Sequence, residues 1–177
     1  MRHALLLHPD CRSAAVERVE ADVTRSPGGL TVRYFLAGNM SGLKLPLPVG
    51  PFRADELWRR ACFELFLRAD GRNDYCEFNF SPSLEWAAYR FDDYRQGMQP
   101  LEIPAPRVEI RQDAESFELQ AELDLAGLPE AGRRLGLSAV IEETNTGVLY
   151  FALAHAPGKP DFHHADGFTI AIPARHS

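Results

Sequence analysis

Between residues 57 and 98 the chain concentrates side chains able to do chemistry: LWRRACFELFLRADGRNDYCEFNFSPSLEWAAYRFDDYRQGM. In the first strand-like run, Ala61, Phe63, Leu65 and Leu67 alternate with Cys62, Glu64, Phe66 and Arg68. In the second, Cys76, Phe78 and Phe80 alternate with Tyr75, Glu77, Asn79 and Ser81. Strict alternation marks strands with one buried face, and a one-residue slip would turn the phenylalanines outward, so the pattern specifies its own register. That register sets Glu64 opposite Asn79 and Leu65 opposite Phe78, around a turn centred on Gly71-Arg72. Continued through a tight Ser81-Pro82-Ser83-Leu84 turn, it sets Trp86 opposite Asn79, Ala88 opposite Glu77 and Arg90 opposite Tyr75. Ala87, Tyr89 and Phe91 then face the core.

The expected surface gathers Glu64, Glu77, Asn79, Trp86 and Arg90 around the small Ala88, with facing positions about 5 Å apart at Cβ. An indole wall, carboxylate acceptors, an amide and a guanidinium fork suit a sugar, whose ring stacks while its hydroxyls donate and accept. The same pattern also describes a solvated outer face with ion pairs of little consequence. Three other chemistries are open to these residues. Glu64 and Glu77 on adjacent strands suit glycoside hydrolysis of the retaining kind, which needs carboxyls about 5–5.5 Å apart. Asp161, His163, His164 and Asp166 offer imidazole and carboxylate ligands in one short loop, and make Asp161, His163 and Asp166 candidate metal ligands. Arg59 and Arg60 beside Trp58 suit either an anion or a solvated strand entrance. No P-loop, dinucleotide fingerprint, nucleophile elbow or zincin motif occurs.

The elements that must position these residues are almost all strands. Period-two alternation, punctuated by Gly, Pro, Asn and Asp, predicts strands near residues 4–8, 16–24, 30–37, 61–68, 75–80, 84–91, 106–111, 117–124, 135–142, 148–155 and 168–172. Hairpin turns are expected at residues 26–29, 70–74, 113–116 and 144–147. Helical periodicity is confined to short turns over residues 54–60 and 128–134. The fold class is therefore all-β, an antiparallel β-sandwich of about ten strands in a single domain.

The chain's 177 residues are enough to bury a core without staples, and its three cysteines form neither a disulfide framework nor a C-x-x-C pair. With 25 acidic against 19 basic residues, the net charge of −6 argues against sequence-independent nucleic-acid binding. The only early apolar run, residues 4–7, is too short for a leader or a membrane span, so a cytoplasmic location is expected. Nothing in the pattern speaks to oligomeric state.

In motif order the sequence resembles the DOMON-like superfamily, which includes the family 9 carbohydrate-binding modules and some haem-binding domains. The resemblance rests on the strands CFELFL (62–67), YCEFNFSP (75–82) and WAAYRF (86–91), and on the closing KPDFHH loop (159–164) before Phe168. It implies a β-sandwich that clamps a sugar between aromatic walls. Glu64 takes the place of the family's strand glutamate and Arg90 that of its arginine. Trp86 is one wall, and Phe162 or His163 stands where a second tryptophan would. Haem-binding relatives hold their cofactor with Met and His, for which Met98 and His163 are the available pair. The reading favoured is a non-catalytic domain for a carbohydrate or sugar-like molecule, with haem-linked electron transfer or glycoside hydrolysis as alternatives.

Overall fold

The computed structural model describes residues 1–26, 28–128 and 133–173. The strands are β1 (His3–Leu7), β2 (Val16–Ser26), β3 (Gly29–Gly38), β4 (Cys62–Ala69), β5 (Tyr75–Phe80), β6 (Trp86–Phe91), β7 (Gln99–Pro100), β8 (Arg107–Gln112), β9 (Ser116–Asp124), β10 (Arg133–Glu143), β11 (Gly147–Ala152) and β12 (Ile170–Ile172). The helical residues described are three single 3₁₀ turns, Met40–Gly42, Leu57–Arg59 and Ala165–Gly167. The turn expected over 54–60 is the second of these. The one expected over 128–134 falls partly outside the described residues, and Arg133 already belongs to β10.

The sheet order is β7-β6-β5-β4-β10-β11-β1-β2-β3-β9-β8, with β12 paired to β10. The all-β expectation holds, but two separate sandwich sheets do not: one antiparallel sheet curls into a half-barrel. Its continuity comes from β1, which pairs β11 on one side and β2 on the other. A short strand that hydrogen-bonds along both edges joins what a sandwich would leave as two sheets.

The curl closes on one large core. Phe63, Leu65 and Leu67 of β4, Phe78 and Phe80 of β5 and Leu135, Leu137 and Ile141 of β10 meet Val32, Tyr34 and Leu36 of β3 and Phe117 and Leu119 of β9. Phe63 stacks on Phe117 at 5.6 Å between ring centroids and touches Tyr34 at 5.1 Å. Tyr34, wholly buried, donates its hydroxyl proton to the Glu64 carbonyl oxygen at 2.6 Å. Its phenol thus ties the backbone beneath the site to the opposite half of the barrel. The hairpins at 26–29, 70–74, 113–116 and 144–147 form where expected.

Candidate functional site

The β4–β5 register is the one the alternation demands: Glu64 faces Asn79 and Leu65 faces Phe78. The β5–β6 register is not. Phe80 pairs Trp86, Asn79 pairs Ala87, Glu77 pairs Tyr89 and Tyr75 pairs Phe91, a slip of one residue from the expected alignment. The cause is the loop between them. Leu84 N donates to Ser81 O at 3.0 Å, and Ser81 N donates to Glu85 O at 2.9 Å, so the hairpin closes over Pro82, Ser83 and Leu84 rather than over two residues. Leu84 takes the left-handed conformation at φ 73°, the geometry that ends a three-residue hairpin and is usually given to glycine.

That extra residue inverts β6. Trp86, only 5% exposed, enters the main core with Phe80, and the Arg53 guanidinium lies 5.2 Å from its ring centroid. Arg90 reaches solvent on the same side and pairs with Asp92 at 3.3 Å. Trp86 and Glu64 therefore occupy opposite faces, and neither Trp86 nor Arg90 joins the site expected for them. In exchange Ala87, Tyr89 and Phe91, assigned to the core by alternation, pack with Phe66, Tyr75 and Phe168 in a second cluster beside Glu77 and Asn79.

On this face lies a cleft of about 730 Å³. Its floor includes Glu64, Glu77 and Val140, its β6 side Tyr89 and Phe91, and its β11 side Val148 and Tyr150. Trp58 and Arg59 enter from the 3₁₀ turn before β4, Arg95 and Met98 from the loop after β6, and Pro160, Phe162 and His163 from the loop before β12. Four of the seven expected ligand-binding residues, Glu64, Glu77, Phe162 and His163, thus line one cavity, and Asn79 is buried between the two acids. Trp58, the cleft's own tryptophan, stands outside the strand alternation, and its sequence position beside two arginines is the signal that marks an exposed indole.

Hydrogen bonds organise the floor. Asn79 Nδ2 donates to Glu77 Oε1 at 2.7 Å, and Ser138 Oγ donates to Glu64 Oε2 at 3.2 Å. Glu64 is 3% exposed and Glu77 5%. Burial lifts the Glu64 pKa well above the carboxylate range, and the charge of Glu77 lifts it further against the Ser138 bond. Burial also raises Glu77, opposed by the Asn79 bond and the charge of Arg95. The Tyr75 hydroxyl accepts from Arg95 N at 3.2 Å and lies 2.7 Å from His163 Nδ1. The other ring nitrogen of His163, Nε2, lies 3.7 Å from Glu77 Oε2. Burial and then the charge of Arg95 push His163 down to about 4, so the imidazole is neutral at physiological pH.

The candidate metal ligands do not converge. Asp161 accepts from Arg95 at 2.7 Å, from the Tyr94 hydroxyl and from His163 N, while His163 turns to Tyr75 and Glu77. Asp166 donates its backbone N–H to His164 Nδ1, and no group of three or more potential ligands forms among the described residues. Met98 and His163 line the same cleft, with His163 Nδ1 2.7 Å from the Tyr75 hydroxyl and Nε2 3.7 Å from Glu77 Oε2.

Comparison with solved structures gives the architecture a context. The chain superposes on a family 9 carbohydrate-binding module from Caldicellulosiruptor kristjanssonii, solved in complex with cellotriose, with a TM-score of 0.57 and 8% identity over 89% of this chain and 74% of that one. The fold is shared. A second structure, assigned as a carbohydrate-binding protein from Bacteroides uniformis, matches with a TM-score of 0.71 and 12% identity over 95% of this chain and 84% of that one. No family model and no curated protein matches the sequence. At 8% and 12% identity the likeness is one of fold.

Proposed function

We propose that the protein is a non-catalytic carbohydrate-binding protein whose ligand sits in the cleft beneath Trp58. The observation that carries the reading is the cleft itself: its 730 Å³ falls among ligand sites, and it sets aromatic rings around buried hydrogen-bonding groups. Trp58 is 47% exposed, an apolar surface that folding leaves uncovered at the cleft wall. Its 3₁₀ turn packs on β4 and β5, whereas Tyr150 lies on β11, two strands beyond β4 and so about 10 Å across the sheet. Phe162 packs beside Tyr150 at 6.1 Å between centroids. A pyranose ring fits that span, with Glu64, Glu77 and His163 below it for its hydroxyls. The sugar-bound family 9 neighbour supports the same reading by analogy of fold.

Hydrolysis by Glu64 and Glu77 is less well supported. A retaining mechanism needs one carboxyl ionised as nucleophile, and here burial drives both toward the neutral acid. Calorimetric titration with mono- and disaccharides tests the binding reading. Saturable binding, weakened at least about ten-fold by Trp58→Ala, is the expected result, since an aromatic wall is worth a kcal/mol or more. Binding unaffected by that change, or no binding to any sugar, would overturn it.

A further inference from the structure

The acids of the cleft floor have no cation in direct contact, and the charge of Arg95 reaches them only from a distance. Among the described residues, the cations that line the cleft are already committed: Arg95 to Asp161 at 2.7 Å and Arg59 to Glu56 at 2.8 Å. His163 Nε2 lies 3.7 Å from Glu77, but its ring is neutral and brings no charge. Glu64 has Ser138 as its side-chain partner and Glu77 has Asn79, both uncharged. Buried carboxylates are ordinarily paired with a cation or hydrogen-bonded to saturation, and these two are neither.

A second observation lies between them. Asn79 is wholly buried and spends its amide N–H on Glu77, but its Oδ1 has no hydrogen-bond partner. It stands directly across the ladder from Glu64 and two residues from Glu77 on the same face. Once ionised, Glu64 and Glu77 at the cleft surface and Asn79 buried beside them group their acceptor oxygens on one face. A sugar hydroxyl brings a single proton to such a group. An ammonium brings three N–H donors, no acceptor and a positive charge. Tyr89, Phe91 and Trp58 add aromatic rings to the same lining, a setting that favours a cation.

We infer that the sugar taken by this cleft carries a protonated amine, so that its ligands are amino sugars with a free amino group, seated on Glu64, Glu77 and Asn79. This rests on the carbohydrate reading above and narrows it. Binding is coupled to ionisation: burial raises the pKa of both acids, and an ammonium beside them favours the carboxylate form, so its binding favours proton release.

Calorimetry of the intact protein at pH 7 with glucosamine, glucose, N-acetylglucosamine and ethanolamine separates the outcomes. The expected result is glucosamine bound at least about ten-fold more tightly than glucose or N-acetylglucosamine, as a charge-assisted contact requires. Titration in two buffers of different ionisation enthalpy should show net proton release with glucosamine and none with glucose. In Glu64→Gln, with its fold checked by thermal melting, the ratio of glucosamine to glucose affinity should fall toward one. Equal binding of glucose, N-acetylglucosamine and glucosamine overturns the amine inference and leaves the sugar reading intact. Ethanolamine bound as tightly as glucosamine, with glucose unbound, overturns the sugar half. No binding of any of the four overturns both.

Discussion

The hydroxyl of Tyr75 on β5 lies 2.7 Å from Nδ1 of His163, a contact that spans 88 positions of sequence and pins the loop before β12 over the cleft. Tyr75 is held in turn by stacking on Phe91 at 4.8 Å, nearly parallel, and by the N–H of Arg95. One phenol thus connects β5, the loop after β6 and the closing loop. Tyr75→Phe removes the hydrogen bond while keeping the ring, and leaves a largely buried imidazole nitrogen without its partner. The expected cost is about 1–3 kcal/mol of stability, read by denaturant unfolding, together with a several-fold loss of sugar affinity. Nitrogen NMR of wild-type His163 should show no protonation until the pH approaches about 4.

That depressed imidazole has a consequence for acid stability. A folded-state pKa of about 4, below the unfolded value near 6.5, means that the unfolded chain binds the proton more readily across this window. Stability from this group is complete above about pH 6.5 and is lost as the pH falls toward 4. A His163→Gln variant should show a shallower fall in melting temperature between those pH values than the wild type.

Glu64 acts with the opposite sign. Its folded pKa stands above the unfolded one, so it favours the folded state most at low pH and becomes a burden as the pH rises. Glu64→Gln keeps the shape and the Ser138 contact but removes the buried charge. Its melting temperature should exceed that of the wild type at pH 8, by about 2–4 °C for each kcal/mol recovered, and the two should converge at pH 4. A lower melting temperature for the variant throughout would show the carboxylate to be better satisfied than its surroundings suggest.

The two tryptophans should separate binding from stability. Trp86→Ala opens a hole in the main core and is expected to cost about 3–5 kcal/mol, measured by urea denaturation. Trp58→Ala removes a half-exposed ring at the cleft wall and should leave stability within about 0.5 kcal/mol while reducing sugar affinity.

Glu143, at the far end of β10, is a buried acid of another kind. Its Oε1 accepts from Ser13 Oγ and from the backbone N–H groups of Ala15 and Val16, and its Oε2 from Ala14 N and the Thr146 hydroxyl. Burial acts to raise its pKa, but these bonds hold it down to about 2. Its contribution is therefore present above the ordinary carboxylate pKa and lost as the pH falls toward 2. Glu143→Ala strands the amides of residues 14–16, and the expected loss is about 3 kcal/mol or more, with a flattened acid limb in the stability profile. Sugar binding at neutral pH should be retained, since Glu143 is not among the residues lining the cleft.

Period-two alternation on its own located all the strands but the two-residue β7, the hairpins apart from the one between β5 and β6, and the pairing of Glu64 with Asn79, because local turns and apolar faces admit a single register there. It also placed Glu64, Glu77 and Asn79 on one face. The orientation of β6 was beyond it. WAAYRF is apolar on both faces, as befits a strand packed between a core and an aromatic cluster, so its pattern fits either side. Leu84 in a left-handed turn decides the matter, a conformation that a leucine adopts only when its surroundings impose it. The continuity of the sheet depends on both edges of β1, and the cleft on loops from residues 58, 95 and 162 returning over the same strands. Such contacts join positions far apart in the chain, and no periodicity encodes them; they exist once the barrel curls and the second aromatic cluster gives the loops something to cover.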